Sequence, residues 1–238
     1  NVSVTHDEAY LYVKLRGEAL QKGEARILID TIPNQGNTTA ASLPNVTMTN
    51  EAEFVIELKQ NGQSRTTIDP YYDFYNYLYA VQQNPPLIAN KIPNPLKNNE
   101  QFTAIEFVLN KQLTIPATGD VIPYSAYETG AMTKGNGNPE ADDYNSMTDY
   151  SWHDDTIEVR IPWQTLQARD PSQREFIGDV YKDGYDASEH VEEIYIGAAF
   201  LNEAGDVVDT FPAMQQQTIP SFAPYTWETW NIPKSSER

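Results

Sequence analysis

The stretch Asp154 to Leu166, DDTIEVRIPWQTL, most narrows what this chain can fold into. Ile157, Val159 and Ile161 alternate with Glu158 and Arg160. Successive side chains of an extended chain point to opposite faces, so this period of two builds a strand with one apolar and one polar face. Pro162 has no N–H to give a neighbouring strand and should end this one. Pro also suits the first position of a helical turn, after which Trp163 and Leu166, three apart, can pack back onto the sheet. A strand apolar on one face needs a second layer over that face, which is the logic of a sandwich.

The same alternation recurs along the chain. Leu11, Val13 and Leu15 oppose Tyr10, Tyr12 and Lys14; Ala25, Ile27 and Ile29 oppose Arg26, Leu28 and Asp30. Phe54, Ile56 and Leu58 oppose Glu57 and Lys59; Ile105, Phe107 and Leu109 oppose Glu106; Ile194, Ile196, Ala198 and Phe200 oppose Glu193 and Tyr195. Turn signals stand between them: Pro33-Asn34-Gln35-Gly36, Ala204-Gly205-Asp206, and Asn61-Gly62 as a hairpin signal between two strand-like runs. Long amphipathic helical patterns are missing. The expected fold is all-β: an antiparallel β-sandwich, jelly-roll-like with immunoglobulin-like layering, of about ten strands, with long loops and few short helices.

The middle of the chain departs from this pattern. From Asp69 to Tyr150 it is rich in Pro, Asn, Gly and Tyr. Asn84 to Asn99 holds Pro85, Pro86, Pro93 and Pro95, and Gly130 to Asp149 reads GAMTKGNGNPEADDYNSMTD. Both are expected to be loops, and loops this long within a domain usually carry function or lack order. Nothing core-sized separates them from the flanking strands. The reading is one domain over residues 1–238 with a loop-rich insertion at 69–150 and a frayed tail or linker at 233–238.

At 238 residues the chain suits one large all-β domain. Sixteen Lys and Arg against 34 Asp and Glu give a net charge of −18. That charge repels nucleic acid and anionic lipid surfaces, and no apolar run is long enough to insert in a membrane. The chain opens at Asn1, without Met or a signal peptide, and almost directly enters a strand, so it reads as part of a longer polypeptide whose other domains are its neighbours. The absence of Cys removes disulfides, thiolate zinc sites and Cys nucleophiles. Acidic, Cys-free and rich in Tyr, Asn and Thr, the composition suits a bacterial extracellular or cell-surface protein.

Three stretches in order carry a resemblance. The opening THDEAYLYVKLRGE, with Asp7, Leu11 and Tyr12, the following GEARILIDTIPNQG, ending its strand at Asp30, and Glu158, Ile161, Pro162, Trp163 and Leu166 in the last stretch resemble family 9 carbohydrate-binding modules and related DOMON-type sandwiches. The resemblance covers the two ends better than the middle. RDPSQREFIGD, the YETG at Tyr127 to Gly130 and the ending WETWNIPKSSER also resemble a group of large bacterial surface proteins, some labelled glycosyltransferases or glycosidases, in which such a sandwich forms the C-terminal part. The resemblance implies a sandwich fold and a non-catalytic, carbohydrate-binding role. A catalytic domain acting on polysaccharide and a purely structural inter-domain sandwich are the rivals. DOMON-type sandwiches also bind haem, but no Met and His pair is recognisable for it here.

Candidate site residues follow from aromatic density. In Asp69 to Tyr79 a period of two would put Tyr71, Asp73, Tyr75, Tyr77 and Tyr79 on one face and Tyr72, Phe74, Asn76 and Leu78 on the other. Aromatic rings stack on the C–H faces of sugars while carboxylates and amides bond their hydroxyls. Tyr144, Tyr150, Trp152 and His153 form a second group, with Trp152 outside the strand register and so a candidate exposed platform; Trp227 is a third candidate, beside Tyr225 and Trp230. Trp163 belongs to the core. Two platforms burying roughly 150 Å² would supply about 4 kcal/mol before entropy costs, the scale of a millimolar Kd.

No cofactor is called for, apart from a structural calcium. Asp142, Asp143 and Asp154 are its candidate ligands, with Asp155 beside them and Asp179, Asp183 and Asp186 as a further acidic cluster. DVYKDGYD does not match an EF-hand loop, and His6, His153 and His190 are too scattered for a zinc motif. A glycosidase would need two carboxylates, for which Glu128 with Asp149 or Asp154 is the conceivable pair.

Overall fold

A computed structural model describes residues 1–82, 92 and 95–231. Most of Asn84 to Asn99, including Pro85, Pro86 and Pro93, and the tail at 233–238 lie outside the described residues. From the N-terminus run β1 (Val2–His6), β2 (Tyr10–Arg16), β3 (Glu24–Asp30), β4 (Asn37–Thr39), β5 (Thr47–Ala52), β6 (Phe54–Leu58) and β7 (Arg65–Ile68), then helix α1 (Phe74–Gln82). The middle holds β8 (Thr103–Ala104), β9 (Glu106–Asn110), β10 (Leu113–Thr114), β11 (Val121–Ile122), β12 (Ser125–Glu128), β13 (Tyr150–His153) and β14 (Thr156–Pro162). The last part holds β15 (Ala168–Asp170), β16 (Glu175–Ile177), the short helix α2 (Val180–Asp183), β17 (Ser188–His190), β18 (Ile194–Leu201), β19 (Val207–Phe211), β20 (Thr218–Ile219) and β21 (Ala223–Tyr225).

The architecture is an all-β sandwich. One sheet has the order β1-β2-β14-β13, all antiparallel. The facing sheet has the order β19-β18-β3-β6-β7-β8, with β21 also pairing β18. Leu11, Val13, Leu15, Ile157, Val159 and Ile161 from the first sheet meet Ile27, Ile29, Phe54, Ile56, Ile196 and Ala198 from the second in one core. The alternation of β2 and β14 is realised as expected: these aliphatics are buried while Lys14 and Glu158 are exposed. Burying each such side chain contributes about 1.5–3 kcal/mol, which holds the two layers together. β14 ends at Pro162, whose carbonyl accepts from Thr165 N (2.9 Å), and Trp163 and Leu166 fold back into the core. The Trp163 indole N–H donates to the Asp7 carbonyl (3.0 Å), so the ring is both packed and satisfied. Asn61-Gly62 does join β6 to β7, with Gly62 at φ +106°, which glycine adopts without strain.

The seven-stranded sheet is apolar on both faces. Leu28, Val55, Ala199 and Leu201 point away from the main core and pack against Leu43, Val46, Met48, Ile219 and Phe222. These come from the β4–β5 connection, from the three-stranded sheet β20-β5-β4, in which β20 runs parallel to β5, and, for Phe222, from the link between β20 and β21. Phe222 lies flat on β18 because Gly197 has no side chain: a Cβ there would stand 2.8 Å from the ring. Leu28, expected opposite Ile27 and Ile29 as the outer face, is thus as buried as they are.

Two expectations give way. The run from Tyr71 to Tyr79 is not a period-two strand: α1 begins at Phe74. Asp69 and Asp73 decide this, since Asp69 Oδ1 accepts from Tyr71 N and Asp73 Oδ1 accepts from Tyr75 N and Asn76 N, the hydrogen bonds of a helix start. In β9 the inward side chain is Val108; Phe107 and Leu109 are 43% and 61% exposed. Among the described residues β9 pairs only with β12, and β10 only with β11, so the two ladders form a two-stranded ribbon outside the sandwich. Among the described residues, no helix is long and apolar enough to cross a membrane.

Candidate ligand-binding groove

The outer face of the four-stranded sheet carries a groove of about 580 Å³. Register fixes what lies on its floor. Ser3 stands opposite Lys14, Lys14 opposite Glu158, and Glu158 opposite Ser151, so one polar row crosses all four strands. Two residues along, Thr5 stands opposite Tyr12 and Tyr12 opposite Arg160. Strands about 4.8 Å apart make such a row about 14 Å long. These residues are outside for the same reason that Val13 and Val159 are inside, because alternate positions face opposite ways.

The loop before β13 forms the wall, through Asn136, Gly137, Asn138, Thr148 and Asp149. Its Asn and Asp side chains fold it. Asn136 Oδ1 accepts from Asn138 N, Asn138 Oδ1 from Glu140 N, and Asn145 Oδ1 from Met147 N. Asn136 Nδ2 donates to Asp143 Oδ1 (2.7 Å), and Asp149 Oδ2 accepts from Thr133 N (2.8 Å). This side-chain-to-backbone bonding is what Asx residues do in turns. A Cβ on Gly135 would lie 2.4 Å from Thr148 Oγ1, so the wall closes against Thr148 only because residue 135 is glycine.

The floor is polar and carries two cations, Lys14 and Arg160, against one carboxylate, Glu158. Lys14 Nζ pairs with Glu158 Oε1 at 2.7 Å, both about half exposed, an arrangement worth little in stability. The Arg160 guanidinium lies 5.0 Å over the Tyr10 ring, and one of its N–H groups donates to the Ser146 carbonyl, tying floor to wall. Its Nε is buried without a partner. Tyr12 O–H donates to Asp7 Oδ2 at 2.6 Å. Burial first, and then the neighbouring Asp7, push the Tyr12 hydroxyl up to about 12, so it stays a donor. Burial would raise the Asp7 carboxyl, but the bonds from Tyr12, Ala9 N and Tyr10 N outweigh it and hold Asp7 below its ordinary value. The groove therefore offers Ser, Thr, Tyr and Asn groups, one cation and one ion pair to a ligand rich in hydroxyls.

The aromatic residues singled out from sequence are elsewhere. Trp152 is 8% exposed in β13, and its indole N–H donates to the Leu20 carbonyl (3.2 Å). It sits in register, opposite Ile157, and is core rather than platform. Trp227 is 5% exposed, lies tilted with its ring 5.0 Å from that of Trp163, and donates to the Pro171 carbonyl. Tyr150 is buried, with Ser64 donating to its hydroxyl. Asp73 is buried as the α1 cap. Tyr71 and Tyr75 are half-buried: Tyr71 lies 4.8 Å from Tyr181 with Lys97 over its ring, and Tyr75 meets Phe107 edge-on. Tyr144 is exposed on the wall loop. Of these residues only Tyr150 borders the groove.

The acidic candidates are likewise dispersed. Asp142 and Asp143 are exposed on the wall loop, and Asp154 is exposed in the β13–β14 turn at φ +49°. Asp179 caps α2 and is taken up by Lys97 (3.0 Å), Gln35 and Tyr71. Among the described residues no three His, Cys, Asp or Glu side chains are placed to hold a metal ion. Glu128 is paired with Arg65 (2.8 Å) at the base of the ribbon, Asp149 holds the wall loop, and Asp154 lies in a turn, each committed to its own place.

Sequence reasoning missed Ser3, Thr5, Tyr12, Lys14, Ser151, Glu158 and Arg160 as a set. The signal existed: they are the polar half of the alternation that marked the core. What was missing was the order β1-β2-β14-β13, which brings residues more than 140 positions apart into one row. No family model matches the chain, and no curated protein or solved structure matches it. The likeness to family 9 modules rests on the three sequence stretches alone.

Proposed function

We propose that this chain is a non-catalytic carbohydrate-binding module of a larger extracellular bacterial protein, and that it takes an extended glycan chain across the four-stranded sheet. The observation that carries this is the groove over β1-β2-β14-β13, floored by two cross-strand rows of hydrogen-bonding side chains and walled by an Asn-rich loop. Sugars present hydroxyls at regular intervals, and a floor alternating donors and acceptors answers them. Tyr12, half-buried on β2, adds ring surface at one end. An open, water-filled groove of this kind binds weakly, in the range of millimolar to tens of micromolar, because most of each contact replaces one with water.

The test is affinity electrophoresis and calorimetry against a panel of neutral and acidic polysaccharides. The reading expects retention by at least one, and loss of it in Tyr12→Ala and in Lys14→Ala/Glu158→Ala at unchanged melting temperature. Retention that survives both variants, or none across the panel, overturns it.

A further inference from the structure

One charge in the groove has no opposite charge bonded to it. Among the described residues Arg16, Arg26, Arg65 and Arg174 each meet a carboxylate, at 3.1, 2.8, 2.8 and 3.0 Å. Arg169 is taken up by the carbonyls of Ala187 and Tyr185. Arg160, half-buried in the floor, pairs with no carboxylate there, although the chain has 34 Asp and Glu and a net charge of −18. Its side chain donates to one group, the Ser146 carbonyl, and its Nε is buried without a partner. Nη1 bonds to nothing among the described residues and is not buried, so it is open to solvent. The other charges lining the groove are already answered. Lys14 holds Glu158, and an Asp149 oxygen accepts from the Thr133 N–H of the wall loop.

We propose that Arg160 receives an acid group of the glycan, a uronic carboxylate or a sulfate ester, and that the ligand is a polysaccharide whose charged sugars are spaced among neutral ones. This rests on the glycan reading above. Chemistry is the first argument. A guanidinium is always charged, its N–H groups match the oxygens of carboxylate and sulfate, and bonds between ions are roughly twice as strong as neutral ones. Position is the second. The Tyr10 ring, 5.0 Å away, and the Ser146 carbonyl already hold the guanidinium, so binding costs it little freedom. Spacing is the third. The floor is about 14 Å across its four strands and holds one such cation, which answers one acid group. A polymer charged at every sugar would bring its remaining charges against Glu158 and Asp149, whereas neutral sugars meet Ser3, Thr5 and Ser151. The acidic body beyond is screened past about 8 Å at physiological salt, so the nearest charge decides.

The experiment pairs each polysaccharide retained in the panel with its uncharged form, carboxyl-reduced or desulfated, and measures both by affinity electrophoresis and calorimetry on the full chain. The retained ligands should be acidic, and the uncharged forms should bind at least about tenfold more weakly. Arg160→Gln should bring the acidic form down to the same level and leave the uncharged form unchanged; Arg160→Lys should keep part of the preference. Whichever removal abolishes the preference identifies the acid. Equal retention of neutral polysaccharides, or an acid preference that survives Arg160→Gln, overturns the proposal and leaves the glycan reading standing. Equal loss of both forms in Arg160→Gln overturns it too, since Arg160 then only props the wall. No retention across the panel overturns the glycan reading, and this proposal with it.

Discussion

Strand β14 holds Ile157, Val159 and Ile161 at 0, 2 and 1% exposure, while β9 leaves Phe107 and Leu109 at 43 and 61%. The two strands have the same apolar alternation and differ in their neighbours. β14 lies between β2 and β13 and is roofed by the seven-stranded sheet; β9 has β12 on one side and, among the described residues, no facing sheet, with the Tyr75 ring edge-on against Phe107. An alternating strand always makes two faces. What covers the apolar one decides whether it becomes core, as in β14, or stays exposed, as in β9.

The largest effect should come from the covered side of this contrast. Trp163→Ala removes a ring packed against Phe176 and Trp227 and should cost about 3–5 kcal/mol in urea unfolding. A loss below about 1 kcal/mol would mean that the turn after β14 is not part of the core.

Burial on both faces of β3 has a second, pH-dependent consequence. Burial pushes the Asp30 carboxyl at its end up to about 7, helped by Glu51 and opposed by the bond from Asn50. Burial likewise raises Asp69 to about 6, and it raises the fully buried Glu53 well above its ordinary value, with Asp30 adding to the effect. Carboxyls raised in the folded state hold more protons there than in the unfolded chain. Their neutral forms are fully stable in place below the unfolded value of about 4, and that stability is lost as pH rises through about 7, at up to about 1.4 kcal/mol per pH unit and group. Urea midpoints should therefore fall from pH 5 to pH 8, and Asp30→Asn should flatten the fall. An identical slope in the variant would show that Asp30 is not the group responsible.

Gly197→Ala tests the outer layer of the seven-stranded sheet. The new methyl meets the Phe222 ring and should cost about 1–3 kcal/mol, read as a lower thermal midpoint. Smallest of all, Leu109→Ala should change stability by less than about 0.5 kcal/mol, because that side chain is mostly exposed among the described residues. If Leu109→Ala costs as much as Trp163→Ala, the contrast between ribbon and core fails.

The parts of this fold legible in the sequence are those where one period and one terminator act together. β14 with Pro162 and Trp163 is such a place, and so are β2 and the Asn61-Gly62 turn. The ribbon was not legible, since IEFVLN has the period of a buried strand and only the lack of a facing sheet among the described residues exposes it. Helix α1 was misread although a signal stood in the sequence: Asp73 as a cap before Phe74, Tyr77 and Leu78 at helical spacing. The density of Tyr there drew attention to chemistry, while Tyr71 and Tyr77 pack on Tyr181 and Tyr185 of the α2 region. The groove needed the strand order, which no local pattern contains.

The central claim is that the polar face of the four-stranded sheet is the binding surface. Amide chemical-shift mapping of the full chain during titration with a soluble polysaccharide fragment tests it most directly. The account predicts that the largest shifts fall on Ser3, Thr5, Tyr12, Lys14, Ser151, Glu158 and the wall residues Asn136 and Asn138, with the ribbon unmoved. Shifts confined to the ribbon or to the Tyr71–Tyr181 cluster, with the groove silent at saturation, would contradict it.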